Sequence, residues 1–204
     1  MRWEASMTEV FNALLVGVSG QGIVLSSDLL AEAAALSGMD VKKSEIHGMS
    51  RRGGPVFSHV RFGERVHSPV IPTGTADLIL AMEPMELLRW APWAHTGAAA
   101  CYLSAPMLPV GVDAYPDGLD DELDRLFGRL VRIELASIRR TVPLKVRNVA
   151  LLGAASVFLP LTRESFADAI SVLAPRGSAE ANQAAFDIGR ELAQAQLKEP
   201  ADVE

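Results

Sequence analysis

Cysteine is almost missing from this sequence, because Cys101 is the only one in 204 residues. A single thiol cannot form a disulfide within the chain, and it cannot by itself supply the ligands of a zinc or iron–sulfur site. It is compatible with a reducing compartment, so we expect a cytoplasmic protein. Cys101 lies in an apolar run, residues 98–103, where a small buried side chain is a better interpretation than a nucleophile.

Long apolar runs and an excess of basic residues are also missing. No uninterrupted apolar stretch approaches the roughly 20 residues of a membrane span, and residues 1–9 do not resemble a signal peptide. The formal net charge of −6 argues against a general nucleic-acid binder, which normally shows a basic face. We therefore expect neither a membrane nor a nucleic acid as a partner.

What is present is the composition of a globular protein. Hydrophobic residues make up 49% and charged residues 22%, which is ordinary for a soluble domain with its own core. The length suits one such domain. We predict a single domain over residues 1–204, with loose ends at 1–10 and 198–204.

The order of apolar runs predicts an α/β fold. Residues 11–18 form a short apolar run that ends at glycines, which is typical of a strand buried on both faces. Residues 23–36 follow with apolar side chains at helical spacing, and Ser37-Gly38 would end this helix. Strand, glycine turn and helix open a Rossmann-like open sheet flanked by helices.

Further elements are predicted along the chain, and the C-terminal segment is helical. We predict strands at 40–46, 56–62, 76–82, 98–103 and 131–135, with a hairpin partner at 65–71. We predict helices at 85–90, 117–130, 147–158, 163–173 and 179–196. Apolar and polar side chains alternate in 56–62, which indicates a strand with one face open to solvent.

A glycine-rich turn, residues 17–22, links the first predicted strand to the first predicted helix. The turn lacks the glycine that a dinucleotide fingerprint has at its third position, where Ser19 stands. It is not a nucleophile elbow, because Gln21 stands where G-x-S-x-G requires glycine. Backbone N–H groups at the start of a helix favour a phosphate or carboxylate, so an anion site is one interpretation. The other is that the glycines serve only close strand–helix packing.

The most unusual stretch, residues 47–54, follows the second predicted strand. It holds one imidazole, one hydroxyl, two adjacent guanidiniums and three glycines, and Met49 is its one large apolar side chain. Paired arginines suit phosphate or carboxylate, and glycine lets the backbone approach a ligand closely. We interpret the stretch as a binding loop on a rigid scaffold. A surface turn with solvated arginines is the alternative.

The remaining histidines and tryptophans have ordinary interpretations. His59 and His67 fall on the predicted hairpin, and no further cluster at ligand spacing supports a metal pair there. We interpret them as strand histidines with satisfied neighbours. Trp90 and Trp93 lie three apart, and we interpret them as core or subunit-interface aromatics.

Three motifs together resemble the gamma-type domain of 2-oxoacid:ferredoxin oxidoreductases. They are the glycine turn at 17–22, the run EIHGMSRRGG at 45–54 and the run SHVRFG at 58–63. Later pieces are similar as well, namely Ala76-Asp77, Glu83-Pro84, Asn148 and the run 182–186. The resemblance covers residues 11–192, and the length and free-standing form are most like the beta subunit of indolepyruvate ferredoxin oxidoreductases. Arg51 is a departure, because the family more often has glutamine there.

The resemblance implies a division of labour within a heteromeric enzyme. In this family an arylpyruvate is decarboxylated on thiamine diphosphate, electrons pass through iron–sulfur clusters to ferredoxin, and the acyl group leaves on coenzyme A. Thiamine diphosphate and clusters belong to a larger partner subunit, and this sequence agrees, with one cysteine and no Gly-Asp-Gly run. The chain would then be a subunit that is not catalytic alone. The alternative is a stand-alone small α/β protein that binds a nucleotide or coenzyme A.

The resemblance also implies where a ligand approaches. The residues expected to form an anion-friendly turn near coenzyme A are Gly17, Ser19, Gly20, Gln21 and Gly22. Arg51 and Arg52 are expected to meet phosphates or a partner carboxylate, and His47 and Ser50 are expected to line the same cleft. Gly53 is counted with them as a cofactor-binding residue. We assign no bond-breaking residue and no metal ligand to this chain.

Overall fold

The computed structural model describes residues 10–48, 54–107 and 114–198, so the predicted loose ends fall almost entirely outside the described residues. Within these ranges the strands are β1 (Phe11–Val18), β2 (Asp40–His47), β3 (Pro55–Gly63), β4 (Ala76–Ala81), β5 (Ala94–Ser104) and β6 (Arg129–Glu134). The helices are α1 (Ile23–Leu36), α2 (Pro84–Trp90), α3 (Leu119–Leu126), α4 (Leu135–Arg139), α5 (Arg147–Ala155), α6 (Arg163–Leu173) and α7 (Ala179–Gln196). None of these helices combines the length and apolar character that a membrane crossing requires.

The six strands form one mixed sheet in the order β2-β3-β1-β4-β5-β6. β1, β4, β5 and β6 run parallel to one another, whereas β3 lies antiparallel to both of its neighbours, β1 and β2. The helix α1 connects β1 to β2, which is not its direct neighbour. β3 lies between these two strands. The predicted α/β open sheet is confirmed.

The sheet buries both of its faces because side chains alternate along each strand. On one face Ala13, Leu15 and Leu80 pack under α1, α5, α6 and α7. On the other, Leu14 and Val16 pack under α2 and α3. This two-sided cover explains why residues 11–18 are apolar without alternation, and it confirms the prediction of a strand buried on both faces.

The helices α5 and α7 touch backbone to backbone. A Cβ on Gly153 would lie 1.9 Å from the Phe186 carbonyl oxygen, and a Cβ on Gly189 would lie 1.8 Å from the Ala150 carbonyl oxygen. The small apolar residues of α5 are buried, as the sequence predicted for residues 147–158. Glycine is required at these two crossings because any side chain would force the helices apart.

The predicted hairpin partner at 65–71 is wrong, since residues 64–75 form no strand. The carbonyls of Ser68 and Val70 instead accept hydrogen bonds from the Arg61 guanidinium, at 2.9 and 3.1 Å. Pro69 removes a further backbone donor from this segment. His67 therefore lies in an irregular loop and not on a strand.

The predicted open face of β3 is also wrong. The exposed fractions of Ser58 and His59, on opposite faces of the strand, are 0% and 1%. The strand lies inside the sheet, where α1 covers one face. On the other face the ring centroids of His59 and Trp93 lie 5.3 Å apart, and those of Trp93 and Trp90 lie 5.5 Å apart. The two tryptophans are partly buried and pack on the sheet.

The predicted helix 117–130 is shorter than expected. α3 begins after Gly118, whose φ is +70°, and ends at Leu126, because the next residue, Phe127, is extended. Gly128 follows, and Arg129 and Leu130 belong to β6 rather than to the helix. The short helix α4, directly after β6, was not predicted. A glycine next to an extended residue ended the helix earlier than its polar and apolar pattern indicated.

Candidate functional site

The turn between β1 and α1 lies where the direction of the chain connections reverses. α1 leads from β1 toward β2 over one face of the sheet, while α2 leads from β4 to β5 over the other. The carboxyl ends of β1 and β4 therefore border a topological switch point, where open α/β sheets bind their ligands. The glycine turn at residues 17–22 stands at this point.

Hydrogen bonds hold the glycine turn in shape. The Val18 N–H donates to Oε1 of Gln21 at 2.8 Å, and the Gln21 N–H donates to the Val18 carbonyl at 3.2 Å. The Ser19 N–H donates to the Gly54 carbonyl at 2.9 Å, which ties the turn to the segment entering β3. Gln21 is buried and its side-chain oxygen is engaged within the turn, so its contribution is to the shape of the turn.

The glycines of the turn are required for different reasons. Gly20 and Gly22 have φ of +91° and +84°, a backbone conformation that favours glycine. A Cβ on Gly20 would meet nothing within 4 Å, whereas a Cβ on Gly22 would lie 2.7 Å from Nδ2 of Asn148. A Cβ on Gly17 would lie 2.6 Å from Oε1 of Gln21, so Gly17 serves close packing within the turn.

Asn148 is a residue of this site that the sequence reasoning did not assign. It lies in the first turn of α5 and is only 3% exposed. Its Nδ2 donates to the Gly22 carbonyl at 3.0 Å and to Oγ of Ser26 at 3.2 Å. The Ser26 hydroxyl in turn donates to the Asn148 carbonyl at 3.3 Å. The sequence signal that could have pointed to it is a single amide side chain at the start of an otherwise small and apolar helix.

A cleft of about 330 Å³ opens beside the turn. Its lining residues are Val18, Ser19, Gly20, Gly22, Ile23, Val24, His47 and Val56. The cleft thus brings together the glycine turn and His47, which α1 and β2 separate in the sequence. Gly17 and Gln21 lie outside the lining and support the turn from behind. Ser50, Arg51, Arg52 and Gly53 lie outside the described residues.

The start of α1 gives this cleft a positive character. The helix begins after Gly22 with no side-chain hydrogen bond at its cap and no acidic residue in its first turn. Ser26 is the residue whose N–H bonds back to the Gly22 carbonyl, so the N–H groups of residues 23–25 precede the helical ladder. The aligned dipoles of a helix place about half a positive charge at such an end. An anion is therefore the ligand that suits the cleft.

A row of charged side chains links His47 to α1. Nε2 of His47 lies 2.9 Å from Oε1 of Glu45, and Oε2 of Glu45 lies 2.6 Å from Nζ of Lys43. Lys43 also pairs with Asp28 on α1. Partial burial alone would raise the pKa of Glu45, but the hydrogen bonds from Lys43 and His47 outweigh it and lower that pKa. Glu45 is an anion between two donors.

A second cleft, of about 380 Å³, has the opposite character. Asp117, Asp120 and Asp121 line it together with Pro84 and Tyr115, so it does not suit an anion. Next to it Glu83 is only 3% exposed and accepts hydrogen bonds from the Glu86 N–H at 2.9 Å and from the Tyr115 hydroxyl. Burial raises the pKa of Glu83 above its usual range.

The other candidate groups of the sequence are enclosed within the fold. His59 accepts a hydrogen bond at Nδ1 from the Ile71 N–H over 3.4 Å, and burial together with the charge of Arg61 lowers its pKa. Cys101 is fully buried in β5, as predicted, and burial raises the pKa of its thiol. Among the described residues no group of three or more His, Cys, Asp or Glu side chains is arranged to hold a metal ion.

Comparison with known sequences gives consistent matches. The family model for pyruvate ferredoxin/flavodoxin oxidoreductase matches residues 12–192. The chain is 34% identical to the indolepyruvate oxidoreductase subunit IorB of Thermococcus kodakarensis, with 92% of this chain and 98% of that protein covered. It is 32% identical to the subunit of the same name from Pyrococcus horikoshii, with the same coverage. The similarity therefore extends along nearly the whole of these relatives.

Solved structures share the fold at lower sequence identity. The gamma subunit of a keto/oxoacid ferredoxin oxidoreductase from Geobacter sulfurreducens has a TM-score of 0.70 and 21% identity, with 92% of this chain and 98% of that chain covered. The 2-oxoglutarate:ferredoxin oxidoreductase of Magnetococcus marinus, solved with 2-oxoglutarate, coenzyme A and succinyl-CoA bound, has a TM-score of 0.69 and 20% identity. There 92% of this chain matches only 32% of a longer chain.

Proposed function

The chain belongs to the pyruvate ferredoxin/flavodoxin oxidoreductase family, and from that premise we propose that it works as the small, gamma-type subunit of an indolepyruvate-type 2-oxoacid:ferredoxin oxidoreductase. The observation that carries the proposal is the match to two IorB subunits over 98% of their length. The reaction of the complex is the oxidative decarboxylation of an arylpyruvate to an acyl-coenzyme A, with ferredoxin as the electron acceptor.

The residues of this chain do not fit an iron–sulfur cluster, because its one cysteine is fully buried. In this proposal the clusters and thiamine diphosphate belong to a larger partner subunit, which also holds the bond-breaking residues. Thiamine diphosphate would be held by that partner and would supply the electron sink that decarboxylation needs. A single buried thiol also fits the reducing cytoplasm, where we place the complex.

We further propose that the cleft between the glycine turn and His47 holds a phosphate group of coenzyme A. Three features support this assignment. The first residues of α1, Ile23 and Val24, line the cleft, Gly20 leaves room for close approach, and His47 adds a side-chain donor or acceptor. The chain's contribution is then to bind and orient the carrier of the acyl group rather than to make or break bonds.

The predicted binding loop begins and ends at this cleft. The Gly48 N–H donates to the Pro55 carbonyl at 2.9 Å, which closes the base of the loop. His47, the first residue of the loop, lines the cleft, and the carbonyl of Gly54, its last residue, accepts a hydrogen bond from the Ser19 N–H. In this proposal Arg51 and Arg52 meet the phosphates or a partner carboxylate from this loop, and Ser50 and Gly53 belong to the same binding site.

The subunit role is tested by co-expression of the chain with its genomic neighbours, followed by purification on a tag carried by this chain. We expect a brown complex with a larger subunit that reduces viologen in the presence of indolepyruvate and coenzyme A. Omission of this chain should abolish that activity. A chain that purifies alone, and whose neighbours are active without it, would refute the subunit role and favour a stand-alone binding protein.

The contribution of the loop is tested in the reconstituted complex with Arg52→Ala. Loss of a charge-assisted contact to phosphate should raise the KM for coenzyme A by about tenfold. Arg176→Ala is the matched control, because Arg176 is an exposed arginine in the loop between α6 and α7. Equal kinetics of the two variants, with equal assembly, would exclude Arg52 from the site.

A further inference from the structure

Glu45 is held from both sides at the edge of the sheet. One carboxylate oxygen lies 2.9 Å from Nε2 of His47, and the other lies 2.6 Å from Nζ of Lys43. The three side chains are at alternate positions of β2 and so share one face of the strand. Glu45 is 21% exposed at its side chain, whereas His47 is 56% exposed. The carboxylate is therefore the better-enclosed member of the pair.

The position of Glu45 is fixed by α1 as well as by its own strand. Lys43 pairs with Asp28 of α1 and donates to Oγ of Ser27 at 3.4 Å. Burial alone would lower the pKa of Lys43, but the hydrogen bonds that its ammonium donates to Asp28 and Glu45 outweigh burial and raise that pKa. The ammonium is thus a fixed positive charge that occupies one oxygen of Glu45. The other oxygen of Glu45 faces Nε2 of His47.

We propose that Glu45, held by Lys43, is a positioning residue that keeps His47 in the tautomer with a proton on Nε2 and presents Nδ1 to the ligand of the cleft. The inference rests on the proposed role of that cleft in binding a phosphate of coenzyme A. A carboxylate has no proton to donate, so the ring atom that faces it must be an N–H. The second ring nitrogen then takes the other role, which is the rule that fixes imidazole tautomers.

The consequence for the ligand is a defined contact at one atom. Nδ1 accepts a hydrogen bond from a protonated phosphate or a hydroxyl when the ring is neutral, and donates to an anionic oxygen when the ring is protonated. Either contact requires that the imidazole ring does not flip about its χ2 bond. The hydrogen bond to Glu45 restrains this rotation. No bond is made or broken at His47, so its effect is on the binding of the ligand.

The first test measures the tautomer of His47 in the full-length chain by ¹⁵N-labelled histidine NMR at a pH where the ring is neutral. The wild type should show the proton on Nε2. In Glu45→Gln the donor-only ammonium of Lys43 takes the amide oxygen, which turns the amide NH₂ toward His47. Nε2 must then accept, so the proton should move to Nδ1. Asp40→Asn, the same chemical change on the other face of β2, should leave the tautomer unchanged.

The second test measures coenzyme A kinetics in the reconstituted complex. Glu45→Gln should raise the KM for coenzyme A by about tenfold, the equivalent of one lost hydrogen bond to a charged group, and leave kcat within about twofold. His47→Ala should have the same effect, and the double variant should be no worse than either single one because the two residues act as a unit. A merely structural role of Glu45 would lower stability and yield without this split between KM and kcat.

Two results would overturn the inference. One is a proton on Nδ1 in the wild type, or no change of tautomer in Glu45→Gln. The other is a tautomer that changes as expected with no change in the KM for coenzyme A. Failure of the proposed function would give a different result. The wild-type chain would then not assemble with a larger subunit, while the tautomer of His47 could still be measured by NMR on the chain alone.

Discussion

The side-chain amide of Asn148 donates a hydrogen bond to the carbonyl of Gly22, 126 positions earlier in the chain, over a distance of 3.0 Å. The first turn of α5 thereby holds the first turn of α1. Oγ of Ser26 completes the arrangement as an acceptor from the same amide. The glycine turn is supported from a distant part of the chain, and its shape depends on this amide.

Replacement of Asn148 by Ala should lower the free energy of unfolding by about 1–3 kcal/mol, because it removes the hydrogen bonds that this buried amide donates to the Gly22 carbonyl and to Oγ of Ser26. Urea denaturation followed by circular dichroism gives this value. Ser171→Ala removes an exposed hydroxyl that bonds within α6, and it should change stability by less than about 0.5 kcal/mol. Equal losses of unfolding free energy in the two variants would show that the Asn148 amide stabilises the fold no more than an exposed hydroxyl does.

Gly22→Ala should destabilise the protein more than Gly20→Ala does. Both substitutions place a side chain at positive φ, which costs about 1–2 kcal/mol. At Gly22 the new methyl would also lie 2.7 Å from the Asn148 amide, which adds about 1–3 kcal/mol of overpacking. Unfolding curves of both variants give the comparison. The double variant Gly22→Ala/Asn148→Ala should cost less than the sum of its parts, and strict additivity would contradict the crowding explanation.

Gly189→Ala should separate α5 from α7. Its Cβ would lie 1.8 Å from the Ala150 carbonyl oxygen, and backbone atoms cannot move aside as a flexible side chain can. We expect a loss of about 3 kcal/mol or more in thermal or urea unfolding. Gly128→Ala is the matched control, since a Cβ there meets nothing within 4 Å. A Gly189→Ala protein as stable as the Gly128→Ala protein would mean that the helices are not in backbone contact.

Glu83→Gln should become relatively more stable than the wild type as the pH rises. Burial raises the folded-state pKa of Glu83 above its ordinary value of 4.5. Its stabilising contribution is therefore fully present below pH 4.5 and is lost as the pH rises through the folded pKa. Glutamine keeps the size and an acceptor for the Tyr115 hydroxyl but does not titrate. Urea unfolding of both proteins from pH 4 to 8 measures the difference in their free energies of unfolding. This difference should shift in favour of Glu83→Gln as the pH rises, and a constant difference would contradict the prediction.

Local patterns were sufficient to predict most elements of the fold. The bounds of α1, α6 and α7 follow from helical spacing, and α1 ends at the predicted Ser37-Gly38 stop. The place of β3 between β2 and β1 did not follow, because strand pairing depends on contacts between distant residues. The same reason explains the wrong open face of β3, since Trp93, which covers His59, lies more than thirty positions further along.

The sequence predicted the residues that line the candidate site but not the residues that hold them in place. The resemblance placed the glycine turn and His47 in one cleft, and the structure brings them together. Asn148 and Glu45 carried no predicted role, although both lay within the motifs. Their contacts depend on a helix from the second half of the chain and on a charge row that ends on α1. Neither contact is visible in the spacing of the sequence.

The far edge of the sheet is closed by a side chain. Oε1 of Gln196, at the end of α7, accepts from the Arg132 N–H at 3.1 Å, and its Nε2 donates to the Arg132 carbonyl. The amide thus occupies the positions on β6 that a neighbouring strand would use. Another chain cannot extend the sheet there without displacing the end of α7. We therefore expect aggregation by strand addition at the β2 edge, and mutations that increase it when the chain is produced alone should map to β2.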